Sequence, residues 1–258
     1  MDGPDRRDEP DGATPAAAAA AEVAAAAEAA AAQSGTGAAE LAAAVVVSQV
    51  GGMRVGYERG QLTENLLADT WFAQFSAWFA EAVAAPEIIE PNAMVVATAA
   101  ANGTPSARTV LLKDADERGL TFYTHYPSRK GRELTENPRA TLLFPWHPIQ
   151  RQVNIAGTVR RVDPAESDAY WSSRPRGSRL GSAASPQSRV VPDRATLEHA
   201  EAELAARYPD DVPRPDTWGG FRVVPHTVEF WQGRPDRLHD RLRYRRDGET
   251  WVVERLAP

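Results

Sequence analysis

The chain has 258 residues, 43% of them hydrophobic and 25% charged, enough for one large or two small domains with a proper core, and not the composition of a fibrous or wholly disordered protein. It has no cysteine, which excludes disulfide frameworks, thiolate metal sites, iron–sulfur clusters and cysteine nucleophiles. The formal charge is -6; residues 1–50 hold eight acidic and two basic groups (8 − 2 = 6), so the remainder, with 27 of each, is neutral and gives no general electrostatic reason to expect nucleic acid or an anionic membrane as partner.

Residues 1–50 read as an Ala-rich low-complexity tail, disordered or loosely helical, with no apolar stripe to dock. No positively charged start precedes an apolar core, so it is not a secretory signal, and the apolar run 41–47 is too short to span a bilayer. A soluble, cytoplasmic protein is expected, its folded body covering 51–258. From Asp69, read as a helix cap, Trp71, Phe72, Phe75, Trp78, Phe79 and Val83 recur at three- and four-residue spacings, the pattern of a core-facing helix that ends before Pro86. Short β-like runs follow at 93–98, 106–112, 120–124, 140–144 and 151–162, separated by Asn102-Gly103, by 116–119 and by Pro145.

Ser128-Arg129-Lys130 opens a helix that stops at Asn137-Pro138. Two further helices are expected, from Asp163-Pro164 to about Ser173 and from about Thr196 to Tyr208. Strands return at 221–224 and 227–232, and an Asp247-Gly248 hairpin joins 243–246 to 250–256. Seven strands and the closing hairpin, with few helices between them, argue for a mainly β, α+β chain: an antiparallel barrel flanked by helices, not a doubly wound sheet.

Gly-rich dinucleotide loops, a phosphate-binding loop and a nucleophile elbow are all missing. The five histidines lack ligand spacing, so no metal site is expected. Only Lys113 and Lys130 of the 29 basic residues are lysines. Arg108 and Lys113, five apart on an expected strand, should face opposite ways and serve different partners. Ser128-Arg129-Lys130 at a helix start is a natural phosphate site, and Ser173-Arg174-Pro175-Arg176-Gly177-Ser178 at a helix end is a second. Phe230-Trp231-Gln232-Gly233 and Arg237-Leu238-His239-Asp240-Arg241 set a large aromatic beside cationic groups. Each string alone reads more readily as a solvated face. Together they give a soluble antiparallel barrel with two oxyanion or phosphate sites.

These strings, with Phe122-Tyr123-Thr124, Leu142-Leu143-Phe144-Pro145-Trp146-His147, Arg151-Gln152-Val153, Gln187-Ser188, Trp218-Gly219-Gly220-Phe221-Arg222 and the closing Arg255-Leu256-Ala257-Pro258, stand in an order that closely resembles the pyridoxine/pyridoxamine 5′-phosphate oxidase family from about Arg54 onward. The resemblance implies an FMN-binding split barrel, a homodimer, and oxidation of pyridoxine or pyridoxamine 5′-phosphate to pyridoxal 5′-phosphate by oxygen, releasing hydrogen peroxide. It implies FMN ligands at Arg108, Tyr123, Thr124, Arg129, Lys130, Gln152, Gln187, Ser188, Trp231 and Arg241, some from the partner chain. Substrate ligands are implied at Lys113, Tyr170, Arg174 and Ser178, with Arg237 and His239, the catalytic pair, over the pyridine ring and Arg54 and Tyr57 in a lid. Arg179 stands where the family often has Gln. The rival readings are a related split-barrel flavin or deazaflavin reductase and a non-enzymatic flavin or pyridoxal phosphate carrier; Tyr170, Arg174, Ser178, Arg237 and His239 are all intact, which argues against the reductase.

Overall fold

Alternation of apolar and polar residues between tight turns builds nine antiparallel strands in the computed structural model, which describes residues 56–258; the readings of residues 1–50 and of Arg54 lie outside the described residues. The strands are β1 (Ala93–Ala99), β2 (Pro105–Leu111), β3 (Asp114–Asp116), β4 (Gly119–His125), β5 (Arg139–Trp146), β6 (Arg151–Arg161), β7 (Trp218–Gln232), β8 (Asp240–Asp247) and β9 (Thr250–Arg255). They form one curled sheet, an antiparallel split barrel in the order β2-β1-β5-β6-β7-β4-β3, with β8 on β7 and β9 on β8. Five helices flank it among the described residues: α1 (Trp71–Ala84), α2 (Arg129–Glu136), α3 (Pro164–Ser173), α4 (Arg176–Ala184) and α5 (Arg194–Arg207). None is long and apolar enough to cross a membrane.

The aromatic stripe of α1 builds the core. Trp71, Phe75 and Trp78 are buried, with Phe75 packed on Phe144 at 5.3 Å between ring centres and Trp78 edge-on to Phe230 at 5.2 Å. Each such ring contributes about 1.5–3 kcal/mol through burial. The cap is Thr70, not Asp69: its hydroxyl accepts from Ala73 N at 3.1 Å, because the first helical turn begins at Trp71. Val83 is 58% exposed, and it is Ala82, fully buried, that carries the stripe into the last turn.

Strand β7 departs most from the sequence reading, which gave two strands and a break at Pro225. It runs unbroken for 15 residues. One edge pairs with β6, while the other pairs with β4 over 218–223 and with β8 over 227–232. Pro225 falls in the gap between those two partners, where a missing N–H leaves no rung unmade. Opposite it the register shifts between Ala156 and Gly157, and a Cβ on Gly157 would collide with the Val224 carbonyl.

Pro145 is likewise inside a strand and not a turn, since β1 pairs with β5 only at Thr141, Leu142 and Leu143 and leaves that edge open beyond. Two elements were missed. β3 is only three residues long, and α4 is rich in Ser and Gly, forming because Leu180 is buried with Trp171, Val212 and Trp218. Ser178 therefore sits inside a helix instead of after one.

Candidate functional site

β4 lies beside the first half of β7, and their register sets Tyr123 opposite Gly220 and Thr124 opposite Gly219. A Cβ on Gly220 would lie 2.9 Å from Tyr123 Cε1, so glycine lets that ring lie flat along the sheet. Tyr123 stacks on Tyr170 of α3 at 4.1 Å and on Trp218 at 5.3 Å. Burial, with Glu166 and Asp114 nearby, pushes the Tyr123 phenol up to about 12, so it stays neutral.

This aromatic shelf floors a cavity of about 530 Å³ lined by Lys113, Tyr123, Thr124, Lys130, Tyr170, Arg174, Ser178 and Gln187 among others. Eight of the expected ligands thus converge in one place. They come from β4, the turn after β2, α2, α3, α4 and the segment after α4.

The cavity is cationic, and no carboxylate is among its lining residues. Ser128 caps α2 by accepting from Gly131 N at 3.2 Å, which turns Lys130 inward. Lys130 is 8% exposed and forms no ion pair with a described residue. Its Nζ donates to Thr124 Oγ1 and Gln187 Oε1, both at 3.1 Å. Burial and then the charge of Arg108 push its pKa down to about 8, with Glu133 opposing. Across the cavity Arg174 lies over Trp218 at 4.9 Å and Trp171 at 5.2 Å. Its Nη2 donates to Ser182 Oγ at 2.9 Å, while its buried Nη1 has no partner among the described residues. A buried lysine without a counter-ion and an orphaned guanidinium nitrogen in one cavity require an anion with several acceptor oxygens. A phosphate ester fits that requirement.

Arg108 and Lys113 are not on one strand: β2 ends at Leu111, and Lys113 lies in the turn beyond it and lines the cavity. Arg108 donates to Thr98 Oγ1 at 2.6 Å, to the Val96 carbonyl and to Ser106, and lies 3.3 Å from Glu133 Oε2. Arg129 is exposed and donates to Glu133 Oε1 at 2.9 Å. Neither lines the cavity. Burial works against the Glu133 carboxylate, but hydrogen bonds from Ser106, Thr98 and Arg129 and the charge of Arg108 hold it at about 2. Glu133 was missed by the sequence reading, although its i,i+4 spacing from Arg129 signals the pair. Ser188 is exposed with a φ of 70°, next to Gln187 but outside the lining.

The remaining candidates form a second cluster at the far end of β7. Gln152, Trp231 and Arg241 lie in one row across β6, β7 and β8. The His239 ring lies 4.8 Å from Trp231, and Tyr57 meets both edge-on at 5.5 and 5.7 Å. Arg241 is paired with Glu229 at 2.7 Å, and Arg237 is exposed with a φ of 62°. From Gly220 to Trp231 the strand covers roughly 36 Å at about 3.3 Å per residue. None of these residues lines the cavity.

The family described as pyridoxamine 5′-phosphate oxidase matches residues 80–208, and the one described as pyridoxine 5′-phosphate oxidase C-terminal dimerisation region matches residues 218–258. The chain is 55% identical over 208 residues to a pyridoxine/pyridoxamine 5′-phosphate oxidase of Saccharopolyspora erythraea, covering 80% of this chain and 94% of that one. It is 56% identical over 210 residues to the protein of that name from Bordetella petrii, covering 81% and 99%. Among solved structures, PhzG from Burkholderia lata, in complex with tetrahydrophenazine-1-carboxylic acid, superposes with a TM-score of 0.72 at 37% identity, covering 76% of this chain and 98% of that one. An FMN-binding, oxidase-related protein from Nostoc punctiforme, at 18% identity and a TM-score of 0.59 over 74% of this chain and all of that one, shares the fold. With both halves of the body matched and relatives at this identity over nearly their full length, the chain belongs to the pyridoxine/pyridoxamine 5′-phosphate oxidase family of oxidoreductases.

Proposed function

We propose that the protein is an FMN-dependent oxidase that converts pyridoxine 5′-phosphate or pyridoxamine 5′-phosphate to pyridoxal 5′-phosphate. The 4′ carbon loses two electrons and two protons, oxygen takes them up to give hydrogen peroxide, and the amine substrate also consumes water and releases ammonia. The observation that carries this reading is the carboxylate-free cavity in which Lys113, Lys130 and Arg174 meet over an aromatic floor. Such a site suits dianionic phosphate esters and a flat ring.

FMN, when bound, supplies the hydride acceptor and its reoxidation by oxygen. Lys130, Thr124 and Gln187 would hold its phosphate side, with Arg108 and Arg129 adding charge from the Glu133 network. Lys113, Tyr170, Arg174 and Ser178 would fix the substrate phosphate. Orienting the ring falls to Arg237 and His239. His239 Nδ1 accepts from Arg234 N at 3.1 Å, which leaves Nε2–H as a donor toward substrate.

We further propose a homodimer in which Gln152, Trp231, Arg241, Arg237 and His239 of one chain complete the cavity of the other. The separation of the two clusters along β7 supports this, as does the family description over residues 218–258. The test is to strip the full-length protein, reload it with FMN and follow peroxide with pyridoxine 5′-phosphate. Peroxide in step with pyridoxal phosphate is expected. A protein that cannot be loaded, or a loaded one that leaves the substrate unchanged, refutes the reading.

A further inference from the structure

His125 ends β4 between two cavities. It lines the one described above and also a second of about 320 Å³ bounded by Pro127, Ser128, Pro186, Arg189 and Thr217. The residue is 8% exposed, and its Nε2 has no hydrogen-bond partner among the described residues. The Ser182 carbonyl lies near enough to favour a proton on the ring. This arrangement fits the neutral imidazole with its proton on Nδ1 and a buried lone pair on Nε2. Folded proteins rarely leave a buried acceptor unanswered, so something that enters the cavity is expected to answer this one.

The charged and titratable groups facing His125 across both cavities are Lys113 after β2, Lys130 on α2, Arg174 between α3 and α4, and Arg189 beyond α4, with the phenols of Tyr123 and Tyr170. No carboxylate is among them. Burial keeps the imidazole below its ordinary range, the Ser182 carbonyl opposing and the charges of Lys130 and Arg174 adding to it. A dianion in the cavity reverses both charge effects, since it neutralises the two cations and offers an acceptor oxygen to a ring N–H.

We propose that His125 is a ligand of the bound phosphate ester that charges only as the ester enters. One proton passes from solvent to Nε2, and the new N–H donates to a phosphate oxygen while Nδ1 keeps its proton. The inference rests on reading the cavity as a phosphate site, for FMN or for the substrate.

The test uses full-length protein carrying ¹⁵N-labelled histidine near neutral pH, with His125 assigned among the five histidines by the signal lost in His125→Asn. FMN is added to stripped protein, and pyridoxal 5′-phosphate, an ester that cannot reduce the flavin, is then added to the loaded protein; calorimetry in two buffers of different protonation heat counts protons taken up. One of the two additions is expected to move Nε2 from an acceptor to an imidazolium signal. His125→Asn should abolish that uptake and weaken the same ligand about tenfold. Lys130 adds little, since a group titrating at about 8 is already about nine-tenths charged at neutral pH. Both ligands bound with the ring still neutral overturns the proposal. If FMN does not bind, the proposed function fails instead, and inorganic phosphate then decides the matter: phosphate bound beside a neutral ring, or no phosphate bound, overturns the inference too.

Discussion

Replacing Lys130 by Met separates stability from binding, because only binding should change by much. In the fold Lys130 titrates at about 8 and not 10.5. At about 1.4 kcal/mol per pH unit that difference bounds the cost of keeping it charged at about 3.4 kcal/mol, and screening through the open cavity reduces it to about 1–2 kcal/mol. Met removes this cost and loses the Nζ bonds to Thr124 and Gln187, about 1 kcal/mol each. Those two residues still bond each other at 2.8 Å.

The stripped variant should therefore match the wild type within about 1 kcal/mol at neutral pH. The sign with pH follows from the lowered pKa. Below about 8 the lysine is charged in both folded and unfolded states and the cost is fully present; between about 8 and 10.5 the folded state releases its proton first, so the wild type gains stability as pH rises and the variant does not.

FMN binding should respond strongly. Loss of the charge weakens it about ten- to a hundredfold. Above about pH 8 wild-type affinity should itself fall more steeply than that of the variant, by about a further tenfold per unit, as the lysine must be recharged to bind. Urea unfolding of stripped protein and quenching of FMN fluorescence between about pH 7 and 9.5 measure both. A variant that binds FMN within about twofold of wild type, or keeps the same pH slope, refutes the assignment of Lys130 as a phosphate ligand.

Arg174→Ala should raise the KM for pyridoxine 5′-phosphate about ten- to a hundredfold with FMN content unchanged, and loss of flavin instead would place Arg174 in the wrong half of the site. Lys130→Met and Arg241→Ala should each be nearly inactive, yet after subunit exchange an equal mixture should recover about a quarter of wild-type activity, because half of the dimers then carry one intact site; no recovery in mixed dimers would mean the two residues serve the same chain's site. Gly220→Ala drives a methyl against Tyr123 and Val162 and should cost about 1–3 kcal/mol, read as a lower Tm and weaker FMN binding; an unchanged Tm would show that the aromatic shelf yields easily. The Glu133 carboxylate, lowered to about 2 in the fold, stabilises above its ordinary 4.5 and loses that contribution as pH falls toward 2, so Glu133→Gln should flatten acid unfolding in that window.

Local chemistry was legible in the sequence wherever neighbours in the chain decide the outcome. The aromatic spacing of residues 71–83 gives α1, Ser128 before Arg129 and Lys130 gives the capped start of α2, and Asp247-Gly248 gives the last hairpin, because each is set by contacts within a few residues. The order of the motif strings identified the family without any pairing information. Sequence did not reveal how β7 changes partners at Pro225: a proline reads as a break until the uncovered edge beside it is known. Nor could it place α4, whose Ser and Gly are poor helix formers and whose register is fixed by burying Leu180 against Trp171 and Trp218. Only the tertiary structure showed that Glu133 gathers Arg108 and Arg129, that Lys130 stands without an ion pair among the described residues, and that Trp231 lies far along β7 from the residue opposite Tyr123. These facts depend on which side chains converge from distant segments, and charge pairing and desolvation act through space, not along the chain.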